Sequence, residues 1–213
     1  MGYANVKKKY IITGTDTGIG KTLVSALLMR NLDAAYWKPI QSGLEEETDT
    51  EFVKRVSECG SDRIIPEKFR LNQPLSPHLS AAIDGVEINP TDIKIPEYKP
   101  STLIIEGAGG VLVPINWNFP QIELFRSFNA PVVIVSRTKL GTINHTLLTV
   151  EALRNRGIPI HGVVFSGEEN TDNFKSIETI GNVKVLGWIP QQETINGTLL
   201  DSVFKTHFNR NDW

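Results

Sequence analysis

The stretch Gly14-Thr15-Asp16-Thr17-Gly18-Ile19-Gly20-Lys21-Thr22 gathers glycines, hydroxyls and one lysine. Glycines let successive backbone N–H groups turn toward a common anion, and the first turn of a helix adds positive potential. The stretch follows an apolar run, Tyr10-Ile11-Ile12-Thr13, and precedes a helical pattern from Lys21 to Leu32. That strand–loop–helix order is the context a phosphate loop needs. Lys21 is long enough to reach the β and γ phosphates of a nucleotide. The Thr22 hydroxyl suits Mg²⁺, a hard ion that prefers oxygen. The spacing is imperfect: Thr15 stands six residues before Lys21, where the strict pattern has glycine, and Gly14 lies one residue earlier. A glycine-rich turn that binds nothing is the alternative.

Three further segments carry groups that can serve such a loop. In Trp37-Lys38-Pro39-Ile40-Gln41-Ser42-Gly43, a cation and a hydroxyl follow a short apolar run. Lys38 can place a second positive charge on a transferring phosphoryl group, or be a solvated surface lysine. In Glu45-Glu46-Glu47-Thr48-Asp49, Thr48 or Asp49 can cap the next helix, and Asp49 can also ligate Mg²⁺. In Ile104-Ile105-Glu106-Gly107-Ala108-Gly109-Gly110, a carboxylate ends a buried strand. Such a charge needs a cation or hydrogen bonds. Mg²⁺ would supply one, and so would a structural partner.

The elements that position these residues alternate in a β-then-α rhythm. Unbroken apolar runs occur at Tyr10–Thr13, Leu103–Ile105, Val132–Val135, Ile160–Phe165 and Val183–Ile189. Helical stretches are predicted at Lys21–Leu32, Asp49–Cys59, Ile122–Asn129, Ile143–Arg156 and Thr171–Ile180. In the fourth of these, Ile143, Leu147, Val150 and Leu153 form one apolar stripe, stopped by Gly157 and Pro159. Unbroken runs suit parallel strands covered on both faces. The expectation is an α/β fold, a three-layer, mainly parallel sheet of P-loop NTPase type, in one domain spanning 1–213. Residues 60–100, rich in Pro, Ser and Asp, read as a long connection with one or two short helices. The C-terminus, Leu199–Trp213, reads as short and mixed.

Composition narrows the function. The 213 residues carry 22 basic and 24 acidic side chains, a net charge of -2, which argues against a nucleic-acid binder. Cys59 is the one cysteine, so an internal disulfide and a cysteine-rich zinc site are excluded. No apolar run reaches the roughly 18 residues that a bilayer-spanning helix needs. The basic stretch Met1–Lys9 has no signal-like apolar segment behind it, and Val6 breaks a myristoylation pattern at Gly2. A soluble cytoplasmic protein is expected.

Five segments in order resemble dethiobiotin synthetase: Gly14-Thr15-Asp16-Thr17 with Gly20-Lys21-Thr22, Lys38-Pro39-Ile40 with Ser42-Gly43, Ser76-Pro77-His78, Glu106-Gly107-Ala108-Gly109-Gly110, and Lys139-Leu140-Gly141 with Ile143-Asn144-His145. The resemblance implies a homodimeric, cytoplasmic ATP- and Mg²⁺-dependent cyclo-ligase of biotin biosynthesis. It would insert CO₂ between the amines of 7,8-diaminononanoate through a carbamate and a carbamic–phosphoric anhydride. It implies Lys21, Lys38 and Thr17 as catalytic groups, and Thr22, Asp49 and Glu106 around Mg²⁺. Nucleotide contacts would come from Gly18, Ile19, Gly20, Lys21, Thr22 and Leu23, from Asp49, from Glu106, Gly107, Ala108 and Gly109, and from Pro190, Gln191 and Gln192. Ser42, Gly109 and Gly110 would meet the carbamate and diamine, with Gly141 and Asn144 binding the substrate carboxylate across the dimer. His78 and His145 read as hydrogen-bonding supports rather than proton carriers, and Lys139 as catalytic or as orienting its loop. One departure stands out. The family commonly ends the strand matching Ile160–Phe165 with an Asn that reads adenine, and here Ser166-Gly167 follows. Ser lacks the amide's paired donor and acceptor, so looser base recognition is expected. Two alternatives remain. A partitioning or cell-division ATPase switch usually carries a signature lysine where Asp16 stands, and an amidotransferase-type relative would activate a different carboxylate.

Overall fold

The computed structural model describes residues 7–213. The expectations for Gly2 and Val6, and for most of the basic N-terminal stretch, lie outside the described residues. In chain order the elements are β1 (Lys8–Gly14), α1 (Lys21–Asn31), β2 (Ala34–Trp37), β3 (Ile40–Ser42), α2 (Asp49–Ser57), β4 (Ile64–Ile65), β5 (Phe69–Leu71) and α3 (Pro77–Asp84). They continue with β6 (Thr102–Gly110), β7 (Pro114–Asn116), β8 (Phe119–Pro120), α4 (Gln121–Phe128), β9 (Val132–Arg137), α5 (Thr142–Arg154), β10 (Ile160–Gly167), α6 (Thr171–Gly181), β11 (Val185–Pro190) and α7 (Gly197–His207).

Seven strands form one sheet in the order β11-β10-β9-β1-β6-β2-β4, and each of its pairings is parallel. From β1 the chain first builds toward β2 and later returns to lay β9 on the other side. Ligand crevices form at the carboxyl ends of strands beside such a switch point. Gly14, Trp37, Gly110, Arg137, Gly167 and Pro190 are the last residues of their strands, so parallel pairing gathers them along one edge.

Strand alternation explains the three layers. Ile11, Leu103, Ile105, Val132, Ile134 and Val163 point to one core, closed by α4, α5 and α6 through Phe125, Phe128, Val150, Leu153 and Ile177. Tyr10, Ile12, Tyr36, Ile104, Val133 and Val135 point to the other, closed by α1, α2 and α7 through Leu27, Leu28, Val53, Leu200 and Phe204. The fold expectation is borne out, and so are the five runs and five helices, with ends shifted by a few residues.

Two expectations need correction. The buried face of α5 is Thr142, Thr146, Thr149, Val150 and Leu153, while Ile143 and Leu147 are only half-buried. The threonines face the sheet because Ser136 of β9 meets Thr142 and Thr146 hydroxyl to hydroxyl, at 2.7 and 2.6 Å. The C-terminal segment, read as short and mixed, forms α7. Its apolar positions 200, 203 and 204 are few, but the Asn196 side chain caps its start by accepting from Leu199 N at 2.9 Å. Residues 60–100 hold α3 and two short strands, in line with the expectation of one or two short helices.

Candidate active site

The Gly14–Thr22 stretch runs from the end of β1 to the first turn of α1. Gly18 and Gly20 adopt φ of 67° and 98°, left-handed conformations that favour glycine and that turn the loop back over the helix. Lys21 is 7 % exposed, and its ammonium donates to the Asp16 carbonyl at 3.0 Å. Burial is the largest influence on Lys21 and lowers its pKa; the Glu106 charge opposes that fall and the Lys38 charge adds to it.

Glu106 is 1 % exposed and is the centre of the site. Period-two alternation in β6 sends Ile105 toward α4 and Glu106 toward α1. β2 pairs with β6 so that Tyr36 faces Ile104, which brings Tyr36 and, one step past the strand, Lys38 to the same side. Glu106 Oε2 accepts from Ser25 Oγ at 2.7 Å and from the Tyr36 hydroxyl at 3.1 Å. Its Oε1 lies 3.0 Å from Thr22 Oγ1 and 3.2 Å from Lys38 Nζ. Asp49 is the first residue of α2, behind Thr48, whose side chain and Glu51 form a capping box. Its carboxylate takes a hydrogen bond from the Thr22 hydroxyl and pairs with Lys38 Nζ at 2.6 Å.

Lys38, 5 % exposed, is therefore no surface lysine. Burial pulls its pKa down, but Glu106 and Asp49 together outweigh burial and the net shift is upward. Burial pushes Asp49 up, and Lys38, together with Thr22 and Lys21, more than reverses it, so its carboxyl sits below the usual value. Burial, then Glu106, drive the Tyr36 phenol well above its ordinary value, which keeps it a donor.

These oxygens fit a divalent cation. The Thr22 hydroxyl has one proton for two carboxylates, and the Lys38 ammonium already bridges both as a positive group. Two carboxylates and a hydroxyl, completed by phosphate and water, are the usual surroundings of Mg²⁺. Among the described residues no group of three or more His, Cys, Asp or Glu could hold a metal.

The Gly107–Gly110 segment closes the other wall. A Cβ on Gly107 would stand 2.6 Å from Phe125 Cζ, and one on Gly109, whose φ is 69°, would lie 3.4 Å from Thr17 Oγ1. Thr17 thus lies against Gly109. Ser42 ends β3, and its Oγ is buried without a hydrogen-bond partner among the described residues.

A cleft of about 390 Å³ opens beside the loop. Its walls hold Thr17, Gly18, Ile19, Gly20 and Leu23 on one side and Ser166, Gly167, Pro190, Gln191 and Gln192 on the other. A Cβ on Gly20 would meet Ser166 Oγ at 2.8 Å, so Ser166 abuts the Gly14–Thr22 loop. Gly141 and Asn144 lie elsewhere. They line an open surface pocket with Leu140, Ile143 and Leu147, apart from the residues around Glu106. Leu140 is fully exposed. Lys139 and His145 are exposed too. His78 packs edge-on to Trp117 with its Nδ1 buried and unpaired among the described residues.

The family model described as an AAA domain matches residues 8–198. The chain is 50 % identical over 208 residues to the ATP-dependent dethiobiotin synthetase BioD of Brucella ovis, covering 98 % of both. It is 47 % identical over 205 residues to that of Rhodopseudomonas palustris strain TIE-1, covering 96 % of both. The chain belongs to the dethiobiotin synthetase family. Among solved structures, it is similar to a ParA family ATPase from Chlorobium tepidum (TM-score 0.57, 14 % identity, 93 % of this chain and 92 % of that one). It is also similar to the septum site-determining protein MinD from Pyrococcus horikoshii, solved with Mg-ADP (TM-score 0.59, 12 % identity, 92 % and 86 %). At such identity the likeness shows the fold alone, and family membership sets aside the switch reading.

Sequence reasoning missed three supports of this synthetase-family site. Ser25 and Tyr36 hold one oxygen of Glu106, as above. Gln121 holds the glycine segment: its Oε1 accepts from Ala108 N at 2.6 Å and its Nε2 donates to the Gly110 carbonyl at 3.1 Å. Gln121 opens α4 at 3 % exposure; the sequence offered only an amide one place before the predicted helix start at Ile122.

Proposed function

We propose that this chain is the ATP-dependent ligase that closes the ureido ring of dethiobiotin from 7,8-diaminononanoate and CO₂, in the cytoplasm and as one domain over 1–213. The observation that carries the reading is the buried Lys38, bridging Glu106 and Asp49 beside the Lys21 loop. Two ammonium groups there can neutralise a γ-phosphoryl group in a site shielded from water.

The chemistry runs in three steps. One amine attacks CO₂, forms a C–N bond and loses a proton, giving a carbamate. A carbamate oxygen attacks the γ-phosphorus while the bond to the ADP oxygen breaks. The second amine attacks the carbonyl carbon, the C–O bond to phosphate breaks, a second proton leaves, and the ring closes with release of phosphate. Positioning and charge stabilisation suffice, with no covalent enzyme intermediate. Lys21 and Lys38 stabilise charge on the transferred group, and the Thr17 hydroxyl donates to it. The backbone from Gly18 to Leu23 and from Gly107 to Gly109 embraces the phosphates, and Pro190, Gln191 and Gln192 flank the base. Thr22, Asp49 and Glu106 would hold Mg²⁺, which supplies neutralisation of phosphate charge when bound. Ser42, with its unpartnered hydroxyl, and the Gly109-Gly110 backbone receive the carbamate and diamine. Gly141 and Asn144, at the start of α5, take the substrate carboxylate across a homodimer. Support for the dimer is the apolar exposure beside them, at Leu140 and at Leu148, 55 % exposed. Neither nucleic acid nor membrane takes part, and among the described residues no helix is long and apolar enough to cross a membrane.

The test is phosphate release by the purified chain with ATP and Mg²⁺. Release is expected only when the diamine and bicarbonate are both present. Release that ignores the diamine would overturn the reading. Calorimetric titration with diaminononanoate, with and without nucleotide, separates this activity from that of a relative acting on another carboxylate.

A further inference from the structure

One charged pair in the nucleotide cleft has no part in the scheme above. Arg137 ends β9, the strand beside β1, and its guanidinium pairs with the Asp16 carboxylate of the phosphate loop. Arg137 lines the same cleft as Thr17, Gly18 and Gly20. Asp16 engages two further donors: its carboxylate accepts from Thr17 N at 2.8 Å, and its carbonyl accepts from Lys21 Nζ at 3.0 Å. A loop N–H, the loop lysine and an arginine are the donors that phosphate recognition uses. Here all three rest on one loop residue.

The pair is poorly placed to be permanent. The two side chains are 35 % and 52 % exposed, and ion pairs so open to water are weak. The Arg137 Nε is buried and has no partner among the described residues, so the guanidinium keeps an unmet donor. A phosphate carries more charge than a carboxylate and accepts two parallel N–H bonds from a guanidinium.

We propose that Arg137 is a nucleotide-binding residue, parked on Asp16, that exchanges this carboxylate for a phosphate oxygen when nucleotide enters the cleft. The inference rests on the ATP-dependent reading above. Asp16 is then a competitor built into the loop, and its charge tunes how tightly nucleotide is held.

The experiment is calorimetric titration of the full-length chain with Mg-ADP, for wild type, Arg137→Gln, Arg137→Lys and Asp16→Asn, each checked for fold by circular dichroism. Asn at position 16 keeps an acceptor for Thr17 N and loses the charge. Arg137→Gln is expected to weaken ADP roughly tenfold or more, the scale of a charge-assisted hydrogen bond. Arg137→Lys should fall between it and wild type, because a point charge lacks the planar fork. Asp16→Asn should bind ADP as tightly as wild type or more tightly. If Arg137→Gln binds like wild type, the proposal is wrong. If Asp16→Asn weakens ADP as much as Arg137→Gln does, the pair only braces the loop, and the proposal is equally wrong. A folded wild-type chain that takes up no ADP would instead overturn the ATP-dependent reading, a separate failure.

Discussion

At the carboxyl edge of the sheet, the β1–β6–β2 end and the β9–β10–β11 end are built in opposite ways. Around Glu106, four side chains converge and each charge has a partner: Glu106 on Thr22, Ser25, Tyr36 and Lys38, and Lys38 also on the half-buried Asp49. At the other end, Gln191, Gln192, Asn144 and Leu140 face solvent. A buried charge is costly unless this chain itself satisfies it, so the phosphate end is preformed. An exposed amide or leucine costs little, so the second end, where base and carboxylate are proposed to bind, need not be satisfied within this chain. Substitutions should therefore damage both stability and turnover at the first end, and only binding at the second.

Lys38→Ala is the largest test of that contrast. It strands Asp49 and Glu106 without their shared cation, and removing one partner of a buried pair costs about 3 kcal/mol or more. Turnover should fall by at least roughly 10², the scale for removing one charge-stabilising donor. Urea unfolding and steady-state phosphate release measure the two effects. Unchanged turnover in a folded variant would remove Lys38 from the chemistry.

Base selectivity probes the open end. Ser166 offers one hydroxyl where an amide would offer a donor and an acceptor, and the flanking glutamines are exposed. The preference for ATP over GTP and CTP, measured as kcat/KM, should stay below about a hundredfold. A larger preference would mean that Gln191 and Gln192 become ordered on the base.

The same contrast explains what could be read from sequence. The phosphate loop is local: its glycines, lysine and threonine lie within one strand–helix junction, and the pattern survives without tertiary information. Glu106 was legible because a carboxylate in an apolar strand needs a cation or hydrogen bonds, although β6 does not end there as expected but runs on to Gly110. Lys38 was ambiguous between surface and site, because its burial depends on β6, which joins β2 only after an excursion of more than sixty residues. Arg137 and Ser25 have no local signature, since each acts on a residue far away in sequence. The face of α5 was misread because hydroxyls that pair with Ser136 count as polar in a periodicity argument and as buried in the fold.

Gln121→Ala tests the wall between the two ends. It removes the acceptor for Ala108 N and the donor to Gly110. Leaving such groups unsatisfied costs about 1–3 kcal/mol. The glycine segment should loosen, raising KM for the diamine roughly tenfold with less change for ATP, because the phosphate loop keeps its own contacts. A variant with both KM values unchanged would show that the segment holds its shape without the clamp.

Leu140→Ser should have the smallest effect on the chain itself and sharpens the comparison most. Leu140 is fully exposed and packs on nothing in its own chain, so the substitution should shift the unfolding free energy of an isolated subunit by no more than about 0.5 kcal/mol. If that surface meets a second copy, dimerisation stabilises the wild type by mass action, and its Tm should rise with protein concentration. The variant should lose most of that dependence, migrate as a smaller species on gel filtration, and require more diamine for half-maximal rate while keeping its affinity for ADP. A variant that stays as large as wild type, with the same diamine requirement, would place the proposed shared carboxylate site away from Leu140 and leave the open end without an assigned partner surface.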